Sequence, residues 1–227
     1  MALKAVITGD IINSTHLDRN KQEALFKLIS LTLKRLGNIY SMRSEMYRGD
    51  SFQCLVHKPE DALRIALLIK TAIRSWNPAE EKKPASRKKK TKVSNTPAEM
   101  FDARMAIGIA EMENSRGKLA SNTEMPFILS GHKLDELKNS KQTLAIDAMD
   151  EFGDELDTES ILLDTILSKT TALQCEVINM KLDDYSEIEI AKKLKIGQSA
   201  VNHRSNLGSW NAIDAMVDRF ETIYGGK

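Results

Sequence analysis

The sequence predicts an α+β fold followed by a purely helical region, and three features carry this prediction. Short β-branched runs alternate with long amphipathic helices up to about residue 150. The acidic stretch AMDEFGDELDTES then interrupts the pattern, and the segments after it have helical periodicity. We therefore predict an α+β domain over residues 1–152, with helices on one face of a sheet, and an all-α domain over residues 153–227.

The N-terminal segment predicts a strand, a turn and a helix. The strand is the β-branched run LKAVITGDI, which ends in Gly-Asp and is followed by three polar residues. Residues 21–40 then carry a wide apolar face, of the kind that packs on a sheet.

Four further elements complete the predicted sheet domain. A hairpin is expected for SEMYRGDSFQCLVH, because apolar and polar residues alternate after a turn at Arg48-Gly49-Asp50. A helix is expected over residues 59–75, where Pro59 and two acidic residues precede a continuous apolar stripe. Two more strands are predicted in FDARMAIGIAEME and QTLAID, at residues 101–113 and 142–147.

Two aspartates stand at the ends of predicted strands. Asp10 ends the first strand, and Asp50 lies in the tip of the hairpin. Each by itself is also typical of an ordinary turn. If the first strand lies beside the hairpin, however, the two carboxylates meet at one sheet edge, where a cation or a proton must relieve their repulsion. Mg²⁺ or Mn²⁺ suits such an oxygen pair and recruits phosphate oxygens to complete its shell.

These motifs resemble the catalytic domain shared by class III nucleotide cyclases, diguanylate cyclases and palm-type polymerases. The segment VITGDIINST is similar to their first metal-binding strand, and YRGDSFQCLV to their central hairpin. The combination of ITGDI, RGDSFQ and SGHKLDEL, at residues 7–11, 48–53 and 130–137, resembles the SatD-like family of small bacterial proteins. The resemblance covers about the first 150 residues and implies a cyclase-like, ferredoxin-like palm sheet.

The resemblance and the neighbouring charges together define a candidate site. Its metal ligands are Asp10, Asp50 and the carbonyl of Ile11, and its candidate nucleotide or phosphate contacts are Asn13, Ser14, Thr15, Arg48, His132 and Lys133. The last two residues would look the same in sequence at an exposed helix start.

The resemblance does not extend to the residues that complete a cyclase. Active cyclases place an Asn and an Arg one helical turn apart after a Gly that corresponds to Gly131, whereas GHKLDEL offers His132, Lys133 and Asp135. Ring closure would then lack the donors that neutralise charge on the transferring phosphoryl group. We therefore do not expect cyclase activity, while another metal-dependent reaction on nucleotides stays open.

Residues 171–207 predict a helix followed by a helix-turn-helix. Ser186 and Glu189 form a capping-box pattern at the start of the first helix of the pair. Ile188, Ala191 and Leu194 are expected on its buried face, and Val201 is expected to lock the second helix against it. Together with the upstream stretch at residues 161–182, the segment resembles the DNA-reading region of bacterial sigma factors, and the resemblance covers about seventy residues. Lys195 stands where that family usually has Gly in the turn.

The helix-turn-helix makes double-stranded DNA the first partner to consider. Asn and Gln can pair with adenine, and the start of the second helix is the part that such motifs present to base edges. The candidate DNA contacts are Lys192, Lys193, Lys195, Gln198, Ser199, Asn202, His203, Arg204 and Asn206. Residues 154–227 nevertheless hold thirteen acidic side chains against eight basic ones, which also fits a protein-interaction module without DNA binding.

The remaining composition sets the expected surroundings. Residues 77–99 contain three prolines and seven Lys or Arg, which predicts a flexible basic insertion that either contacts DNA phosphates or is a solvated loop. The two cysteines, Cys54 and Cys175, have no metal or redox spacing, and no apolar run is long enough to cross a bilayer. We expect a cytoplasmic protein that does not engage a membrane.

The C-terminal segment carries an apolar stripe that exceeds the needs of one small domain. Its residues recur at spacings of three and four: Trp210, Ile213, Met216, Val217, Phe220 and Ile223. The stripe is expected to pack on the N-terminal domain or on the same helix of a second molecule. We predict a homodimeric DNA-binding regulator of transcription whose first domain senses a nucleotide or another phosphorylated ligand.

Overall fold

The computed structural model describes residues 2–47, 49–77, 100–113 and 117–226. The strands are β1 (Ala2–Ile11), β2 (Met42–Tyr47), β3 (Ser51–Val56), β4 (Ala103–Met112) and β5 (Leu144–Ala148). The helices are α1 (Arg19–Ile39), α2 (Ala62–Ser75), α3 (Met125–Lys138), α4 (Gly153–Ser168), α5 (Ala172–Leu182), α6 (Glu187–Leu194), α7 (Gln198–Leu207) and α8 (Trp210–Tyr224). The predicted α+β class is confirmed. Arg48 and all but the first residue of the basic insertion at 77–99 lie outside the described residues.

The five strands form one mixed sheet in the order β2-β3-β1-β4-β5. β1 is antiparallel to both β3 and β4, and β5 is parallel to β4. The first strand therefore lies beside the hairpin, which is the condition under which the two aspartates are expected to meet. In this register Asp10 is opposite Ser51 on one side and Arg104 on the other.

Helices cover both faces of the sheet, so the prediction of helices on one face is wrong. One face packs on α1 and α2, and α3 packs on the other face against β1, β4 and β5. The close approach of α3 depends on Gly108, because a Cβ there would lie 2.4 Å from the carbonyl oxygen of Pro126. A glycine inside a strand is typical of such a backbone contact.

The C-terminal helices share the main hydrophobic core with the sheet. The core joins buried residues of β1, α1 and α2 to Leu163, Ile178 and Phe220. Asn179 of α5 donates hydrogen bonds to the Leu68 carbonyl and the Thr71 hydroxyl of α2, both at 2.8 Å. The domain boundary predicted at residue 152 stays a prediction. The chain before this residue and the chain after it pack into one core.

Two arginines fix the turn between α5 and α6 to the N-terminal helices. Arg35 of α1 reaches both carboxylate oxygens of Asp183 at 2.8–2.9 Å. Arg64 of α2 donates to the Leu182 carbonyl at 3.0 Å and to Glu221 of α8 at 2.6 Å. The position of the last four helices is therefore tied to the sheet layer by polar contacts as well as by packing.

Helices α6 and α7 have a small core of their own. Val177 of α5, Ile190 of α6 and Val201 of α7 are fully buried against one another. The predicted face of α6 was in part wrong: Ile188 is 61% exposed, whereas Ile190 is buried. Ser186 does form the predicted capping box with Glu189, and this box sets where the helix begins. The cap and the packing partners turn Ile190 inward.

The apolar stripe of α8 is covered within the chain. Ile213, Val217 and Phe220 belong to the main core, and Phe220 stacks at a tilt on Tyr224 with ring centroids 5.0 Å apart. The stripe was predicted to pack on the N-terminal domain or on a second molecule, and it packs on residues of its own chain. The dimer stays a prediction.

Within the described ranges, no helix combines the length and the apolar character that crossing a membrane requires. Both cysteines are buried as free thiols. Burial raises the pKa of the Cys54 thiol far above its ordinary value, so this thiol is unreactive in the folded chain.

Candidate functional site

Two glycines shape the sheet edge that carries the aspartates. Gly49 has φ +82°, and a Cβ at this position would lie 2.8 Å from the ring of Phe26. Gly9 lies against the ring of Phe52, at a distance that leaves no room for a side chain. Both motif glycines are thus required by packing and backbone conformation, and they bring the end of β1 and the β2–β3 turn together.

The predicted neighbourhood of the two aspartates is present. The Ile11 amide donates to the Asp50 carbonyl at 2.9 Å, so the turn is bonded directly to the end of β1. Ser14 donates its hydroxyl to Asp50 Oδ2 at 2.9 Å, and Arg104 Nη1 lies 3.6 Å from Asp10 Oδ1. Asn13 adopts the left-handed conformation, with φ 58°, and this lets the chain turn after β1.

Asp10 lies in an environment that disfavours its ionised form. Burial raises the pKa of its carboxyl, while Arg104 and Lys138 oppose that rise and Asp50 adds to it. Asp10 Oδ1 is buried, and its ion-pair partner Arg104 lies 3.6 Å away, so this oxygen has no donor within hydrogen-bond distance among the described residues. A buried acceptor without a donor is costly, so a cation or a ligand that supplies one is stabilised here.

The donor set at this edge fits a small hard cation in part. Among the described residues, no group of three His, Cys, Asp or Glu side chains is placed to hold a metal ion. Two carboxylates and a backbone carbonyl are nevertheless a usual protein contribution for Mg²⁺, which keeps its other positions for water and phosphate oxygens. The unbonded oxygen of Asp10 is the atom that best fits this use.

His132 and Lys133 do not lie at a helix start. Both are in the middle of α3, and Lys133 Nζ pairs with Asp157 at 2.9 Å. Lys133 lines a cavity of about 430 Å³ beyond the end of β5, among acidic side chains that include Asp147 and Asp154. Lys138, at the end of α3, is instead the lysine whose charge acts on Asp10. The sequence analysis missed Lys138 because the position of this lysine relative to Asp10 depends on where α3 ends.

The sheet face beside Asp10 carries a row of polar side chains that the sequence analysis also missed. Thr8 Oγ1 lies 2.8 Å from Ser130 Oγ, and Gln53 Nε2 lies 3.4 Å from the same Thr8 oxygen. The side-chain amide oxygen of Gln53, Oε1, is buried without a hydrogen bond in the described part of the chain. The alternation of β1 and β3 places Thr8, Asp10 and Gln53 on one face, and this was the available signal.

A buried ionic network supports the same edge from behind. Lys70 is fully buried, and its ammonium donates to Asp102 Oδ1 at 2.8 Å, to the Ala103 carbonyl at 2.7 Å and to Thr143 Oγ1 at 2.9 Å. Arg74 bonds the other oxygen of Asp102. The Asp102 carbonyl accepts from the amide of Ile12, so this network holds the residue that follows β1.

Helices α6 and α7 and the turn between them place most of the candidate DNA contacts at the surface. The exposed ones are Lys192, Lys193, Lys195, Gln198, Ser199, Asn202, His203 and Asn206. Arg204 is partly buried and lies 3.3 Å from Glu176 of α5, so it supports α7 as well as facing outward. Lys193 lies over the ring of Tyr185 at 4.3 Å. Asn202 accepts a hydrogen bond from Asn206 at 3.0 Å.

The turn between α6 and α7 is made by Lys195. This residue has φ 56° and ψ 41°, the left-handed conformation that glycine adopts most easily. The conformation explains the usual preference for Gly at this position, and a lysine occupies it here at some cost. The Lys195 side chain also places a third exposed ammonium group beside the start of α7.

Charge is segregated within the C-terminal region. Residues 190–207 contain Lys192, Lys193, Lys195 and Arg204 and no Asp or Glu. The rest of residues 154–227 holds all thirteen acidic side chains and four basic ones. The exposed face of α7 is therefore the part of this region where a polyanion meets the least repulsion.

Comparisons with known proteins give a weak structural similarity. Neither a protein-family model nor a curated protein sequence matches the chain. Two solved structures of a bacterial light-regulated adenylyl cyclase are similar to it, both with a TM-score of 0.42 and with sequence identities of 13% and 14%. The matches cover 64% of this chain, and 75% and 42% of the respective cyclase chains.

Proposed function

We propose that the chain binds double-stranded DNA through α7 and acts as a regulator of transcription. The observation that carries this proposal is the exposed polar face of α7, which lies beside three exposed lysines in a segment without acidic residues. Amide and hydroxyl groups at the start of such a helix are suited to base edges, and the lysines to phosphates.

The fixed geometry of the helix pair supports the same proposal. A recognition helix reads bases only if its first turns are held in a defined orientation. Here the capping box of Ser186, the cluster around Val201 and the link between Arg204 and Glu176 orient α7 on α5. The competing function, a protein-interaction module, is favoured by the acidic surroundings, and base-specific binding separates the two.

The test is selection of duplexes from a random-sequence DNA pool, followed by mobility-shift titration of the selected site. Replacing Asn202 and His203 together by Ala is expected to weaken binding to the selected site at least about tenfold, and to weaken binding to unrelated duplex less. Asn211→Ala, an exposed amide on α8, is the matched control and should bind as the unmodified chain does. Failure to enrich any sequence would exclude base reading.

We further propose that the sheet edge at Asp10 binds a phosphorylated ligand together with Mg²⁺ or Mn²⁺ and thereby regulates DNA binding. The unbonded oxygen of Asp10 and the adjacent Asp50 favour a cation, and Arg104 and Lys138 favour an anion beside it. When bound, such a metal would offset the negative charge of phosphate groups. Ser14 would keep Asp50 oriented, and Arg104 would limit the repulsion at Asp10.

Binding and turnover at this edge are tested together. Nucleoside triphosphates are titrated with Mn²⁺ and followed by calorimetry and by chromatography of products. Asp10→Asn and Asp50→Asn should each reduce nucleotide affinity about tenfold or more, since each removes a charged ligand. Asp218→Asn, on the exposed surface of α8, is the control. Heat of binding without a product indicates sensing, and a product that depends on both aspartates indicates an enzyme. The absence of both binding heat and product would exclude the site.

A further inference from the structure

The outer face of α4 carries an uncharged stripe that lies between the acidic first turns of the helix and Lys169 at its end. Ile161 is 46% and Leu162 is 61% exposed, and Thr158, Thr165 and Ser168 continue the stripe on either side. The charged residue between Ser160 and Ser168 is Asp164, which is buried and accepts a hydrogen bond from Thr143. With 29% of the sequence charged, an apolar centre of this kind at the surface is typical of a binding face.

A shallow apolar groove runs beside this stripe. It lies between α4 and α8, has a volume of about 300 Å³ and is lined by Leu162, Ile166, Ala212, Ala215, Met216 and Glu159. The two alanines form a depression next to the protruding Leu162. A two-fold interface pairs the same surface of both copies, so this surface must complement itself. Here the protruding Leu162 of each copy can enter the depression of the other.

The charges along α4 favour packing against a second copy in the antiparallel direction. The N-terminal half carries Asp154, Glu155, Asp157 and Glu159, and Lys169 follows the C-terminal end. Glu155 and Lys169 both lie seven residues from Leu162, which places them on the same side of the helix as Leu162. A two-fold axis near Leu162 therefore brings Glu155 of each copy, whose carboxylate also pairs with Arg219 of α8 in its own chain, opposite Lys169 of the other copy. The same arrangement opposes the two helix dipoles.

We infer that the chain forms a symmetric dimer in which the uncharged stripe of α4 packs antiparallel on the same stripe of a second copy. Leu162 lies near the two-fold axis and contacts the groove between α4 and α8 of the other copy. Most of the C-terminal stripe of α8 is buried within the chain, and Met216 of that stripe lines the groove. The dimer rests on the proposed function only for its purpose, which is to present two α7 helices to two DNA half-sites.

The oligomeric state of the full chain, measured without DNA, tests the inference. Sedimentation velocity at micromolar concentrations should give twice the 25.5 kDa chain mass. Leu162→Glu, which places two like charges at the axis, should raise the dimer dissociation constant at least about tenfold. Leu31→Glu, at a leucine that is 57% exposed on α1, is the matched control and should leave the mass unchanged. Monomeric unmodified protein, or equal dissociation by both variants, would overturn the proposal.

A cross-link tests the position of the axis independently of affinity. A residue near a two-fold axis meets its own copy, so Leu162→Cys should form an intermolecular disulfide in the presence of a mild oxidant, while Leu31→Cys should not. Both natural cysteines are buried and do not compete. Equal cross-linking of the two variants would also overturn the interface. Because neither measurement contains DNA, a chain that dimerises but selects no DNA would refute the proposed function and leave the dimer standing.

Discussion

The sheet edge at Asp10 and the outer face of α7 hold their polar groups in opposite ways. At the edge, strand pairing fixes Asp10, the Ile11 amide and the Ser14 hydroxyl bond Asp50, and part of the carboxylate surface is buried. On α7, side chains such as Gln198 and His203 extend from the helix into solvent. Substitutions at the edge must therefore change folding stability along with any ligand binding. Substitutions on α7 can report on binding alone, and this difference sets the order of expected effects.

The largest effect is expected behind the edge, at Lys70. Lys70→Met leaves Asp102, Asp164 and the Thr143 hydroxyl without the cation that joins them, so the free energy of unfolding should fall by about 3–5 kcal/mol. Urea denaturation measures this change. Lys27→Met, on the exposed side of α1, is the control and should change stability by less than about 0.5 kcal/mol. A loss below about 1 kcal/mol at Lys70 would mean that the network adds little to the fold.

A smaller loss is expected where α6 begins. Ser186→Ala removes the oxygen that accepts from the Glu189 amide, and it should destabilise the chain by about 1 kcal/mol. Ser186→Gly should cost only a few tenths of a kcal/mol, since glycine is tolerated at this position. Thermal unfolding compares the two. Equal losses would show that the cap bond is not what sets the start of the helix.

The effect at Asp10 should have the opposite sign and depend on pH. Because burial raises the pKa of Asp10 above its ordinary 3.8, the folded state holds the proton more tightly than the unfolded state does. The stability contribution of this group therefore falls as pH rises from about 3.8 through the folded pKa. Asp10→Asn should raise the free energy of unfolding at pH 7 by up to about 1 kcal/mol.

Urea denaturation of Asp10→Asn and the unmodified chain at pH 4 and pH 7 checks this expectation. The difference between the two proteins should be larger at pH 7 than at pH 4, because the ionised carboxylate, which burial disfavours, is more populated at the higher pH. A constant difference at both values would show that desolvation of the carboxylate is not the cause. The same variant loses nucleotide affinity if the proposed site exists, so stability and binding move in opposite directions.

The smallest effect on stability is expected on α7. Asn202 and His203 are exposed, and the hydrogen bond from Asn206 to Asn202 is also at the surface. Replacing both residues by Ala should change the free energy of unfolding by less than about 0.5 kcal/mol while DNA binding falls. Chemical denaturation beside the mobility-shift titration measures both. A large loss of stability would make the binding result uninterpretable and would place these side chains in the fold.

The strands, the hairpin and most helices follow from local patterns in the sequence. β-branched runs with period-two alternation specified β1 and β3, and Gly9 and Gly49 marked their ends for reasons that the packing explains. The second sheet face was missed because α3 carries no strong amphipathic pattern. Gly108 inside β4 was the available signal, since a strand glycine often marks a close backbone approach.

The errors within the two candidate sites have tertiary causes. Ile188 and Ile190 are both apolar and two residues apart, so the sequence pattern cannot choose between them. The choice is made by Val177 and Val201, which come from other helices. Lys70 stands in the apolar run LLIKTAI and looks like a lysine that reaches solvent. Its burial depends on Asp102, thirty-two residues further along the chain.

Asn179 has a consequence for how the two halves of the chain can be separated. Its amide occupies the Leu68 carbonyl and the Thr71 hydroxyl of α2, while Leu167 and Phe220 fill space beneath the same helix layer. A fragment that starts at residue 153 would lose these partners on α2 and would expose a wide apolar surface. Helices α5 to α8 are thus an outer layer of the sheet domain and not a separable unit, and transferring them to another protein would require α2 as well.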